Sequence, residues 1–185
     1  MSATIDITEG AALAVLRGFL LSILPTGTEI IRGQQNQTPL PAGPTWGEIT
    51  PMIRRRMATN VDSYDGTGGF RYVVSASEMT VQTDFYGPSA GDYSQIVKAL
   101  WRDRNATEFF ATQTITVNGT VVPFNGAPLF AGECRQTPFV NDQAQYEYRW
   151  STDLLMQINP TITITQQYFD AAVIGLISVD ASFPA

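Results

Sequence analysis

The stretch Phe70–Tyr86 constrains this chain more than any other. Phe70, Tyr72 and Val74 alternate with Arg71, Val73 and Ser75, and Met79, Val81 and Phe85 alternate with Thr80, Gln82 and Asp84. A period of two puts the two sets on opposite faces of a strand. Ordinary strands run to about 5–6 residues, so this stretch predicts a bent ribbon, or two strands broken near Ala76–Glu78. Ala144–Gln157 repeats the pattern and predicts Tyr146, Tyr148, Trp150, Thr152 and Leu154 on one face. A chain whose longest regular segments alternate in this way builds antiparallel sheet with one face buried.

Two helices are expected to cover that face. Residues 7–24 place Ala12, Leu16, Phe19, Leu20 and Ile23 at helical spacing, with Thr8 as N-cap and Pro25 as the stop. Residues of about 90–105 place Tyr93, Ile96, Val97, Leu100 and Trp101 on one stripe, with Asp92 or Ser89 as cap. Between them lie a strand over Thr28–Arg32, a stiff connector over Gly33–Trp46 with Pro39, Pro41 and Pro44, and a strand over Trp46–Ala58. Pro51 marks an edge or a bulge in that strand. Asp62–Gly69 reads as a turn-rich tip. Gln113–Val117 and Thr120–Phe124 read as a hairpin closed by Asn118-Gly119. Pro160–Thr165 and Ala171–Val179 read as the final strands. The sum is an α+β fold, an antiparallel β-sheet with two flanking helices, in a single domain over residues 1–185.

The side-chain inventory excludes most chemistry. The 185 residues contain no histidine and one cysteine, Cys134. A Ser-His-Asp triad, a Cys-His pair and an imidazole zinc site are therefore ruled out. The one lysine, Lys98, lies outside any glycine-rich phosphate loop. Cys134 has no partner thiol for an intrachain disulfide, which suits a reducing cytoplasm, and equally a particle assembled there and later released. Ala11–Leu24 is apolar but follows Asp6 and Glu9 and is interrupted by Arg17, unlike a signal peptide, and it is too short to span a bilayer. No membrane association, cofactor or metal is expected. The net charge of −6 and pI near 4.5 argue against retention of nucleic acid. Only 15% of residues are charged, which leaves a surface suited to contact with neighbours.

Each candidate site has a plain structural reading beside it. Arg54-Arg55-Arg56 is the densest cluster of charge. In a strand, Arg54 and Arg56 share one face and could dock an acidic neighbour. Asn60, Asp62, Tyr64 and Asp65 lack the internal glycine and terminal glutamate of a calcium loop, and a self-bonded turn explains them better. Glu78 and Asp84, six apart on one strand, are about 20 Å apart, too far for a glycosidase pair. Tyr146, Tyr148 and Trp150 could stack a sugar or a base, or simply pack beneath a helix. The triplets at Asn105 and Asn118 are expected to carry no glycan.

A series of short segments, in consistent order over about residues 29–183, resembles the neck (tail) terminator proteins of contractile-tailed bacteriophages. They are Arg32-Gly-Gln-Gln-Asn36; Thr50-Pro-Met through Thr59-Asn60 with Tyr64-Asp65; Val81-Gln-Thr-Asp-Phe-Tyr-Gly-Pro88 leading to Asp92; Leu100-Trp-Arg-Asp103; Pro128-Leu-Phe-Ala131; Arg135-Gln-Thr-Pro-Phe139; and Gln145-Tyr-Glu-Tyr-Arg-Trp150. The resemblance implies a non-enzymatic virion protein, assembled in the host cytoplasm. It would form a homohexameric ring that caps the tail tube, ends its growth and joins the tail to the head connector at the neck. The implied partners are other copies of the chain, the tail tube protein, the tail sheath protein and the head–tail connector, with DNA passing through the lumen. Residues expected at interfaces are Gln35, Asn36, Arg54, Arg56, Asp62, Tyr64 and Arg71, and the loops Gly33–Pro44 and Asp62–Gly69. A head–tail connector or tail-completion protein of the same neck is the near alternative. A β-rich carbohydrate- or ligand-binding module is the distant one.

Overall fold

The computed structural model describes residues 2–35, 39, 41–140 and 146–166. Strand β1 (Ala3–Ile5) precedes helix α1 (Glu9–Ile23). Strands β2 (Glu29–Arg32), β3 (Trp46–Arg56), β4 (Val61–Asp65), β5 (Phe70–Val74) and β6 (Ser77–Tyr86) follow. Helices α2 (Ala90–Trp101) and α3 (Arg104–Thr112) come next, then β7 (Thr114–Val117), β8 (Thr120–Pro123) and β9 (Gly126–Ala131). Short strands β10 (Arg135–Gln136), β11 (Phe139–Val140) and β12 (Tyr146–Glu147) lead into β13 (Arg149–Ile158) and β14 (Thr161–Thr165).

The main sheet runs β10-β13-β6-β3-β2, with β9 also paired to β13. Every pair in it is antiparallel except β2 with β3. A parallel pair needs a crossover of about a dozen residues. The proline-rich connector between Arg32 and Trp46 supplies that length. Pro51 falls at a register shift in the β3–β6 ladder, the bulge that its missing N–H requires.

Three of these strands continue past a common bend into a second sheet, ordered β1-β14-β5-β4. β3 passes into β4, β5 into β6, and β13 into β14, in the same lateral order. Backbone bonds bridge the bend, from Met57 N–H to the Ala76 carbonyl (2.9 Å) and from Ser75 N–H to the Pro160 carbonyl (3.0 Å). The alternating run from Phe70 is thus two strands, broken at Ser75–Ala76. The expected turn over Asp62–Gly69 is corrected: Val61–Asp65 is strand β4, paired to β5, and only the glycine-rich end turns. The backbone pairing offered by β5 overrides the weak strand preference of Asp62 and Ser63.

The core lies between the main sheet and three helices, where two were expected. On β6, Ser77, Met79, Val81, Thr83 and Phe85 point into it. On β13 the facing residues are Ile158, Met156, Leu154, Thr152 and Trp150, in direct register. From the helices come Leu16, Phe19 and Leu20 of α1, Val97 and Trp101 of α2, and Ala106 and Phe110 of α3. Phe19, Trp101 and Phe110 meet edge to face, with centroids 5.5–6.1 Å apart, and the Trp101 indole donates to the Leu155 carbonyl (3.1 Å). The second expected helix ends early because Asp103, capping Arg104 N–H, starts α3 in a new direction. That turn brings Phe110 to the core. Thr8 caps α1 as expected, accepting from Ala11 N–H. The β7–β8 hairpin turns through Asn118 (φ 49°) and Gly119 (φ 81°) as the Asn-Gly pair predicts. The proposed strand over Ala171–Val179 lies outside the described residues.

Candidate docking surfaces

The two ends of β3 carry different chemistry. At its far end Met52, Ile53, Arg54, Arg55, Arg56 and the following Met57 are all solvent-exposed. The register puts Arg54 opposite Met79 and Arg56 opposite Ser77, so both share the face that carries Met79. Arg55 points the other way and binds Glu78 (2.9 Å). Among the described residues Arg54 approaches the Met79 sulfur (4.0 Å) and no carboxylate. Beyond the bend, Val61 and Tyr64 on β4 are also exposed, on opposite faces of that strand.

Arg71, Asp62 and Tyr64 come together within the chain. Arg71 donates to Asp62 (2.8 Å) and lies 5.9 Å from the centroid of the Tyr64 ring. An acidic group on a neighbouring chain would have to compete with Asp62 for that guanidinium. Asp65 accepts from the backbone of Thr67 and Gly68 (both 3.0 Å), the self-bonded turn considered above. Gln35 is exposed just after β2. Asn36 lies outside the described residues.

At the near end of β3, Trp46 opposes Tyr86 and stacks on it at 4.2 Å and 16°. Pro44, Trp46, Tyr86, Pro88, Tyr146 and Tyr148 line a groove of about 350 Å³ with Glu147 on its wall. Of the two readings of Tyr146, Tyr148 and Trp150, packing beneath a helix holds for Trp150 and is corrected for the two tyrosines. Strand pairing lapses at Tyr148, and both tyrosines face solvent at 82% and 62% exposure, while Trp150 packs against the core. Gly87 shapes the groove: its φ is +99°, and a Cβ there would lie 1.9 Å from the Pro44 carbonyl oxygen.

Beneath the groove the sheet face away from the helices holds a polar network that sequence reading missed. Asp84 is 2% exposed, and it accepts from Arg149 Nε (3.2 Å) and a terminal guanidinium nitrogen (3.0 Å), from Gln82 (2.8 Å) and from the Ser151 hydroxyl. The Asp84 hydrogen bond raises the Arg149 pKa above its ordinary value, against the effect of burial. Tyr86 donates to Glu48 (3.2 Å). Burial first, then the Glu48 charge, pushes the Tyr86 phenol well above its ordinary 10.0. The signal in the sequence was one of phase. Asp84 and Arg149 both sit at outward positions of their strands, but only the register reveals that they are neighbours. Glu78 and Asp84 are thus each committed to an arginine, and neither is set up as an acid or base. Cys134 accepts from the Thr152 hydroxyl at 3.4 Å.

Among the described residues no group of three His, Cys, Asp or Glu side chains is placed to hold a metal, and no helix is long and apolar enough to cross a membrane. What the surface offers is shape, aromatic rings and arginines. Residues 11–180 match the family described as phage neck terminator protein. The chain belongs to the phage neck terminator family. It is accordingly a structural component of the phage neck, associating with other tail and head parts of the virion. No curated protein matches it.

Proposed function

We propose that this neck terminator, folded as one domain over residues 1–185, closes into a homohexameric ring. The ring caps the finished tube of a contractile tail, stops further addition of tube subunits, and presents its other face to the head–tail connector. The tail sheath protein abuts its rim, and DNA passes through the lumen without specific binding. The protein acts by contact alone, with no catalytic step and no cofactor, and it assembles in the host cytoplasm.

The observation that carries this reading is the exposure of Met52, Ile53, Met57, Val61 and Tyr64, which are 47–65% accessible along one bent arm formed by β3 and β4. Large apolar side chains left this open on both faces of one arm are better covered by a neighbour than by water, which favours a docking surface there. Capping demands one face that fits the last tube ring and another that rejects the next tube subunit. A closed ring demands head-to-tail contacts whose rotation returns to the start. Arg54, Arg56, Arg71, Gln35, Asn36, Asp62 and Tyr64, with the loops around them, are the residues proposed for those contacts. The charge of −6 per copy suits a lumen that repels phosphate.

The test adds purified protein to tail tubes growing from baseplates. Growth that halts, with protein at the free tube end, supports the cap. Tubes that lengthen as before, with the protein bound only to the connector, would favour the head–tail connector reading instead.

A further inference from the structure

The second sheet is open on both sides. Its order, β1-β14-β5-β4, leaves β1 and β4 with one strand neighbour each among the described residues. In an antiparallel ladder alternate residues exchange bonds with the partner strand and the rest point away from it. Asp6 N–H donates to the Thr161 carbonyl (3.2 Å), so Thr4 faces β14, and the N–H and C=O of Ala3 and Ile5 point outward. Gln166 N–H donates to the Gly69 carbonyl (2.8 Å), so Val73 faces β14 while Tyr72 and Val74 face β4. Their partners Val61 and Ser63 face β5, and the N–H and C=O of Asp62 point outward. Among the described residues no backbone bond takes the outward groups of Ala3, Ile5 or Asp62. The free edge of the main sheet is different: on β2 the Ile30 carbonyl accepts from Arg17 Nε (2.7 Å). Of the residues in the four strands of the second sheet only Val73 is buried. So thinly covered a sheet gains from further pairing, and an open edge is a template for another strand.

From this we infer that β4 of one copy pairs antiparallel with β1 of a second copy of this chain, with Asp62 opposite Ile5. The two edges match in direction, phase and side chains. Every pair within the sheet is antiparallel, so β4 runs opposite to β1. A second copy set in the same orientation therefore continues the antiparallel order, the more stable kind of ladder. Asp62 and Ile5 both turn N–H and C=O outward, and together they exchange two bonds. Thr4, Thr163, Tyr72 and Ser63 already stand in one row across the sheet. The pairing prolongs that row, with Ser63 beside Thr4 of the next copy, a pair of hydroxyls of the kind that stabilises sheets. The Asp62 carboxylate stays engaged by Arg71 (2.8 Å) and needs no new partner. Each copy carries one edge of each kind, so the contact is heterologous. Its repetition yields a closed ring or an open filament according to its rotation. The inference deepens the ring reading above and rests on it, by naming the strands that meet.

Two measurements test it. Ile5→Pro deletes an outward N–H and leaves the bonds that Thr4 makes to β14, the one setting in which a strand tolerates proline. An unchanged melting temperature checks that the variant folds. By light scattering the wild type should form rings, and Ile5→Pro should run as a single chain of 20.2 kDa. The second measurement needs no proline. Thr4→Cys and Ser63→Cys in one chain lie three strand spacings apart, about 14 Å, beyond the roughly 7 Å that a disulfide spans. In the pairing between copies they face each other with Cα atoms about 4.5 Å apart. Oxidation should therefore join copies, giving bands at multiples of 20.2 kDa on non-reducing denaturing gels, absent from either single variant. Rings formed by folded Ile5→Pro, or a double variant that cross-links no better than the single ones, would overturn this contact. Either result would assign the edge to an occupant other than a second copy and leave the ring reading in place. A wild-type chain that is monomeric at every concentration would overturn the ring reading and this contact with it.

Discussion

Arg149 grips Asp84 with two guanidinium nitrogens, on the sheet face opposite the three described helices, and leaves that carboxylate 3% exposed. Cutting the pair from one side strands a buried charge. Arg149→Met should therefore lower stability by about 2–3 kcal/mol, near the low end of such losses because the arginine is itself a quarter exposed. Arg149→Met combined with Asp84→Asn should cost less than the sum of the two single changes. Urea midpoints at constant slope give the comparison, and strict additivity would mean that the pair is not coupled.

Tyr86 makes the fold sensitive to alkali. Its phenol holds a proton more tightly in the folded chain than in the unfolded one, where the ordinary value is 10.0. The stability this contributes is complete below pH 10.0 and falls as pH climbs from there toward the folded-state value. Melting temperatures should thus drop more steeply above pH 10 for the wild type than for Tyr86→Phe. Parallel curves for the two proteins would show that Tyr86 ionises freely while folded.

Thr83 is fully buried, and its hydroxyl finds no hydrogen-bond partner among the described residues. Its neighbour across the ladder, Thr152, is bonded instead to Ser94 (2.6 Å). Replacing Thr83 by valine keeps the shape and removes the unmet polar group. We expect a gain of about 1 kcal/mol, read as a higher urea midpoint. A loss of that size would mean that the hydroxyl is satisfied in solution.

Gly87 ties the proline-rich connector to the sheet. Alanine there would meet a strained backbone and the Pro44 carbonyl at once. Gly87→Ala should destabilise by about 2 kcal/mol or more. It should also shift the fluorescence of Trp46, which follows Pro44 closely. Unchanged fluorescence together with unchanged stability would show that the connector can move aside.

Wherever local chemistry decided the structure, the sequence was readable. Asn118-Gly119 takes positive φ because those two residues tolerate it. Pro51 forces a bulge because it has no N–H to give. Thr8 caps α1 for equally local reasons. The failures all needed a partner from elsewhere in the chain. Asp62 and Ser63 become strand only because β5 lies beside them. Tyr146 and Tyr148 leave the core because the pairing of β13 begins only at Arg149. Phe109 and Phe110 hide a separate helix behind Asp103, whose side chain is a cap only once α2 has ended. The candidate site divides in the same way. The arginine cluster stood out by its charge, while the groove joins Pro44, Tyr86 and Tyr148 from segments far apart in sequence.

An electron-microscopic reconstruction of the intact particle tests the central claim most directly. The account predicts a closed ring of this fold at the top of the tail tube, one ring per tail, encircling the DNA path beneath the connector. The same fold found as an isolated copy away from that junction, or missing from the particle altogether, would contradict it.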